Sequence, residues 1–127
     1  WLGDYPNAAH FKADLKSHGL YVYLDKGQII GSISILQEND PPYQAIQWHR
    51  QLSLVIHRFM VDPNHQKKGV GIALFEHAIQ LTTIKHQSLK VDTHPDNVKM
   101  QKLILKMNFE YMGYLSSINR LAYELIV

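Results

Sequence analysis

The feature that most constrains this chain is the run Gln66-Lys67-Lys68-Gly69-Val70-Gly71, set between two strongly patterned segments. Before it, residues 52–61 are almost wholly apolar except for His57 and Arg58, which suits a central strand covered on both faces. After it, Val70, Leu74, Phe75, Ala78, Ile79 and Leu81 recur at helical spacing over 70–84, with Glu76, Gln80 and Thr83 off the stripe. A strand that turns through glycines into a helix leaves unpaired N–H groups at the positive end of the helix dipole. Such a turn holds anions by backbone alone. Glycines at 69 and 71 let a diphosphate approach the main chain, and Lys67 and Lys68 add formal positive charge. The spacing is neither a P-loop nor the three-glycine dinucleotide fingerprint. Taken alone, two glycines fit a purely geometric turn equally well.

The remaining elements follow from periodicity and breakers. Residues 8–18 read as a short amphipathic helix between Asn7 and Gly19. Strands are expected over 20–24 and 29–36, joined by a hairpin turn at Asp25-Lys26-Gly27, with Gly31 marking a close approach or a bulge. Residues 37–48, with Asn39-Asp40-Pro41-Pro42, read as an irregular loop. Beyond the first long helix come a strand at 88–93, a helix at 97–107 carrying Val98, Leu103, Ile104 and Met107, and strands at 109–115 and 120–127. This order implies a mixed, mostly antiparallel central sheet with helices on both faces, in the α/β (α+β) class. No repeat or linker interrupts it, so residues 1–127 are expected to form a single domain.

Composition excludes several functions. With no cysteine, the chain has no disulfide, no thiolate metal site and no cysteine nucleophile. That is compatible with a cytoplasmic location, the expectation adopted. A net charge of +2 without a basic stripe argues against nucleic acid. No apolar run nears the roughly 18–20 residues a bilayer span needs, so no membrane is expected. The eight histidines show no metal-ligand spacing, so no metal is expected either. The chain begins Trp1-Leu2-Gly3 rather than with methionine, and an N-terminal truncation is one expectation.

Val61-Asp62-Pro63 followed by Gln66-x-x-Gly69-x-Gly71 resembles the cofactor motif of GNAT-type N-acetyltransferases. Asp92-Thr93-His94-Pro95-Asp96-Asn97, followed by Leu103 and Lys106-Met107-Asn108-Phe109, resembles the family's second motif. The resemblance spans about residues 1–127 and lacks the family's first strand and most of its first helix. It implies a GNAT acyl-CoA N-acyltransferase fold and acetyl-CoA as co-substrate. It further implies that the backbone of Phe59, Met60 and Val61 pairs with the pantetheine amides. The diphosphate would then lie on Gln66, Lys67, Lys68, Gly69, Val70 and Gly71, with Ile72 and Ala73 continuing the turn. Asn97 matches the position that commonly holds the pantetheine arm, and it serves equally well as a helix N-cap. The acceptor implied is a small-molecule or peptide amine.

Transfer to an amine needs a base, a polarised carbonyl and a route for protonating the thiolate. His57 is the nearest polar side chain on the central strand, and an imidazole suits a proton relay. It is equally well read as a core histidine bonded to backbone. His94 is a second candidate. At the position where the family often has an acidic tyrosine this chain has Ile104, which leaves Tyr111, Tyr114 or Tyr43 to reach in. The other departure, Asn108 for glycine, is mild because Asn tolerates the left-handed region. Tyr43, Trp48 and residues 1–6 could line an acceptor pocket or simply be core. Two functional readings result: an acetyl-CoA-dependent N-acetyltransferase, or an acyl-CoA-binding sensor with little or no activity. The final strand, 120–127, is expected to be exposed and free to pair across a homodimer.

Overall fold

The computed structural model describes residues 19–37 and 41–127, and at 66–68 the backbone only. The helix expected over 8–18 and the segment 1–6 lie outside the described residues. Among the described residues six strands form one sheet: β1 (Leu20–Asp25), β2 (Gln28–Leu36), β3 (Ser53–Val61), β4 (Ser88–Thr93), β5 (Glu110–Leu115) and β6 (Arg120–Ile126). Their spatial order is β1-β2-β3-β4-β6-β5. Only the β3–β4 pair is parallel, so the sheet is mixed and mostly antiparallel.

Helix α1 (Val70–Lys85) makes the crossover from β3 to β4, and α2 (Val98–Lys106) makes the one from β4 to β5. Both feed one core, in which Leu74, Phe75 and Ala78 of α1 and Ile104 of α2 meet Ile33, Ile56, Leu89 and Val91 of the sheet. The opposite face carries a smaller cluster of Tyr43, Val55, Leu115 and Ala122, with Ile46 and Trp48 packed against it. Within the loop expected over 37–48, Pro41–Ala45 form a 3-10 turn with Tyr43 buried.

Local chemistry explains most of these elements. Lys26 (φ 50°) and Gly27 (φ 80°) take the two left-handed positions of the tight hairpin between β1 and β2. Gly31 serves both expected purposes. A bulge in the β1–β2 ladder lies next to it, and a Cβ there would sit 2.8 Å from Val70 Cγ1, so glycine is what lets α1 settle on β2. On α1, Thr82 is fully buried although its hydroxyl is polar, because that hydroxyl donates to Ala78 O at 2.7 Å. Helix α2 ends in a Schellman closure. Asn108 is left-handed (φ 71°), its N–H reaches Leu105 O at 3.0 Å and the Phe109 N–H reaches Ile104 O at 3.3 Å. Val98, expected on the apolar face of α2, is exposed at the first turn.

Two expectations are corrected. Residues 120–127 are not a free strand, since β6 lies inside the sheet and is paired on one side with β4 and on the other with β5. The crossover through α2 carries the chain one strand too far, and the hairpin returns it into the gap, which leaves β5 at the edge. Nor is β3 covered on both faces along its length. Ser53, Val55 and Ile56 are buried, but from His57 to Val61 the strand is half-buried or exposed. The reason is the departure of β3 from β4, which also makes the site.

Candidate active site at the opening between β3 and β4

The ladder between β3 and β4 holds only Ser53↔Ser88, Leu54↔Leu89 and Val55↔Lys90. Beyond Val55, β3 stays paired to β2 as far as Val61↔Gly31 while β4 runs on beside β6 to Thr93↔Leu121. A wedge therefore opens between two adjacent strands. Its cause is a bulge in β3, where Ser32↔Met60 and Ser34↔His57 leave two residues of β3 opposite one of β2. Arg58 takes up the extra residue at φ 49°. The bulge also resets the alternation, so that Ile56, Phe59 and Val61 all pack toward the helices. Met60 is exposed.

The glycine turn closes the wide end of this wedge. Asp62 accepts the Asn64 N–H at 2.9 Å, and with Pro63 it starts the 3-10 turn Pro63–Lys68. Gly69 ends that turn in the left-handed region (φ 74°) and is at once the N-cap of α1. No side chain caps the helix and no acidic residue lies in its first turn. Its first N–H groups are thus presented outward with the dipole behind them.

The two glycines differ in purpose. A Cβ at Gly69 would meet nothing within 4 Å, so open space lies over the helix end. A Cβ at Gly71 would come within 3.2 Å of both Leu103 Cδ2 and Phe59 Cζ, so that glycine serves the packing of α1 against α2 and β3. Ala73 donates its N–H to Gly69 O at 3.0 Å, so this amide already belongs to the helix ladder. Gly69, Val70, Gly71 and Ile72 supply the turn itself. This combination of an uncapped helix end, open space above it and an adjoining wedge fits an acyl-CoA diphosphate and its pantetheine arm.

The remaining expected residues are distributed unevenly. Phe59 stacks edge-on to Phe75, with ring centroids 5.1 Å apart, so its side chain faces the core and only its backbone borders the wedge. Asn97 accepts the Met100 N–H at 3.1 Å as the N-cap of α2, and its side chain is otherwise exposed at the end of β4. His57 follows the last β3–β4 pair by two residues and by alternation faces away from the helices. His94 is engaged within its own loop, with Nδ1 accepting the Asp96 N–H at 3.0 Å and Nε2 lying 3.4 Å from Asn119 Nδ2. Tyr111 stands on edge strand β5, half exposed, its ring against Tyr123. The structure does not bring it to the wedge, because β6 intervenes between β5 and β4. Ile104 is fully buried in the helix-side core.

The face opposite the helices holds Tyr43, one of the tyrosines the sequence offers, together with Asp92 and Arg120, to which the sequence reading gives no role. The Tyr43 hydroxyl donates to Asp92 Oδ2 at 2.5 Å, and Arg120 Nε lies 3.8 Å from the other carboxylate oxygen. Asp92 is thereby fixed on the β4 bank of the wedge, on the face toward which His57 points. The signal was available: Leu89 and Val91 face the helices, so Lys90 and Asp92 must face away. Opposite Lys90 in the β4–β6 register, Glu124 is buried at 1% exposure. Nearby, burial pushes the Lys90 ammonium below the usual lysine range while the Glu124 charge pulls it back up.

Among solved structures, this fold recurs in acetyltransferases. A GNAT-family acetyltransferase from Streptococcus agalactiae 2603 matches with a TM-score of 0.87 at 24% identity, covering 100% of this chain and 77% of that one. A Staphylococcus aureus Mu50 protein matches at 0.79 with 26% identity, over 96% of this chain and 81% of its own. Ard1 from Thermoplasma volcanium matches at 0.77 with 21% identity, over 99% and 83%. No curated protein matches the sequence significantly. The model of the acetyltransferase (GNAT) family matches residues 2–109, and the chain belongs to that family. No described helix is long and apolar enough to cross a membrane.

Proposed function

We propose that the chain moves the acetyl group of acetyl-CoA onto an amine by direct attack, with no covalent enzyme intermediate. The observation that carries this reading is the uncapped first turn of α1 opening onto the wedge between β3 and β4. Acetyl-CoA, when bound, supplies an activated thioester carbonyl and a thiol leaving group. The N–H groups of Gly69 to Ile72 would hold the diphosphate. The unpaired β4-facing edge of Phe59, Met60 and Val61 would align the pantetheine amides. Strand N–H groups near Met60 would polarise the carbonyl. Because the core fills the helix side, the acceptor is expected to approach from the face that carries His57, Asp92 and Tyr43.

His57 is the proposed proton acceptor, directly or through water. His57→Ala should lower kcat about 10²–10³-fold with little change in the KM for acetyl-CoA. An unchanged kcat would remove His57 from this role. The whole reading is tested by measuring CoA release from acetyl-CoA with spermidine, L-lysine, kanamycin and an alanine-initiated tetrapeptide as acceptors.

A second reading is favoured by Ile104. A fully buried aliphatic side chain stands where the family often places its acid, and the chain would then hold acyl-CoA as a sensor. Tight binding of acetyl-CoA with no turnover on any of the four acceptors would favour the sensor over the enzyme.

A further inference from the structure

Glu124 is a carboxylate with almost no solvent contact, on β6 opposite Lys90, the residue at which the β3–β4 ladder ends. The carboxylate accepts the Ser88 hydroxyl at 2.6 Å, the His49 N–H at 2.8 Å and the Arg50 N–H at 3.3 Å. Ser88 has a single proton and spends it on this carboxylate, so the Ser53 hydroxyl is the donor in the 2.7 Å Ser53–Ser88 contact. Glu110, directly opposite Glu124 in the β5–β6 register, bonds the His49 ring at Nε2. Backbone and side chain of His49 are therefore both held by the last two strands.

From that anchor the chain runs back toward the wedge. Trp48 Nε1 donates to Tyr43 O at 2.8 Å, and Lys90 Nζ lies 4.7 Å from the centre of the Trp48 ring. Tyr43 then reaches Asp92 with its hydroxyl. Residues 43–50 thus form a strap across the face opposite the helices, pinned at Asp92 on β4 and at Glu124 on β6. Between the pins its only regular structure is the end of a five-residue 3-10 turn, too short to be rigid by itself.

We propose that Glu124 is a positioning residue for the acceptor side of the site: by holding the His49 and Arg50 amides it fixes the strap that places Tyr43 against Asp92. The inference rests on the proposed acceptor approach. A carboxylate suits the task because its two oxygens accept three donors at once. An amide offers one oxygen, and its NH₂ would be set against the Arg50 N–H. In Glu124→Gln the strap should loosen while the cofactor side, on the other face, stays as it was.

The test uses the full chain and whichever of the four acceptors turns over fastest. Glu124→Gln should raise the acceptor KM about tenfold or more, the size expected if the loosened strap deprives the acceptor of one hydrogen bond to a charged group. The KM for acetyl-CoA should stay within about twofold of wild type. Amide exchange at His49 and Arg50 should quicken, since their acceptor is weakened. Glu124→Asp, which keeps the charge, should recover part of the acceptor KM. An unchanged acceptor KM, or an equal rise in both KM values, would overturn the proposal. Where Glu124→Gln does not fold, Trp48→Phe cuts the strap at the Tyr43 carbonyl and should reproduce the selective rise in acceptor KM; no rise overturns it. Should the wild type acetylate none of the acceptors, the enzyme reading fails on that result. The strap is then decided by exchange alone, and unchanged protection at His49 and Arg50 rejects it.

Discussion

Phe75→Ala should lower the unfolding free energy by about 3–5 kcal/mol, the largest single stability loss expected among the described side chains. Phe75 is completely buried on α1 and meets two rings edge-on, Phe59 at 5.1 Å and Phe109 at 5.8 Å. Its removal forfeits the transfer free energy of the ring, two aromatic contacts of about 0.5–1.5 kcal/mol each, and whatever the resulting cavity cannot recover by collapse. Collapse will be limited, because the three rings belong to three different segments: α1, β3 and the residue leading into β5. Against a total stability of about 5–15 kcal/mol this is a severe loss. Denaturant titration of the substituted chain measures it, with the m-value unchanged if the native state keeps its shape. Phe75→Leu, which fills most of the space, should cost about 1.5 kcal/mol or less. A loss below about 1 kcal/mol for alanine would mean that this core is not packed as described.

The same ring marks what could be read from the sequence. The α1 stripe announces Phe75 as core by its spacing, and periodicity matches the described strands and helices α1 and α2 to within a residue or two. Single-residue conformational signals were also legible: Gly27 for the hairpin, Asn97 as a cap, Asn108 as the left-handed helix end. Each is a local backbone requirement that few residue types meet.

What was hidden is non-local. Nothing in Leu54-Val55-Ile56-His57-Arg58-Phe59 announces that Arg58 will take φ 49° and turn a central strand away from its neighbour. The bulge is fixed by the register with β2, and register is a pairwise property. Glu124 sits in a strand that reads Leu-Ala-Tyr-Glu-Leu-Ile, where a lone carboxylate looks like the solvent face. Only the return of β6 into the interior of the sheet makes it buried. In the sequence the two glycines share their readings, diphosphate access or a geometric turn, and the structure separates them: Gly69 for backbone conformation and open space, Gly71 for helix packing. That separation decides which glycine can test the cofactor site cleanly. A side chain at Gly71 strikes Leu103 and Phe59 and would confound binding with folding.

Gly69→Val is therefore the informative substitution, and it should weaken acetyl-CoA binding about a hundredfold or more. Gly69 is left-handed at φ 74°, a conformation that costs other residues roughly 1–2 kcal/mol and suits β-branched ones least. The new side chain meets no protein atom close by, so the fold should survive with that modest strain. The damage falls on the site, where the branched side chain occupies the space above the helix end and strain relief tilts the N–H groups away. Loss of two bonds to a charged diphosphate, at about 1.5–3 kcal/mol each, gives the stated factor. Gly69→Asn is the counterpart, because Asn accepts the left-handed region, and its Kd should stay within about tenfold of wild type. Calorimetric titration with acetyl-CoA reads both. S-acetylpantetheine, which has the thioester arm but no diphosphate, supplies the internal control. Its use should be nearly the same in wild type and Gly69→Val, since nothing in it reaches the helix end. Wild-type affinity for acetyl-CoA in Gly69→Val would place the diphosphate somewhere other than this turn, and equal losses for both thioesters would point instead to damage along β3.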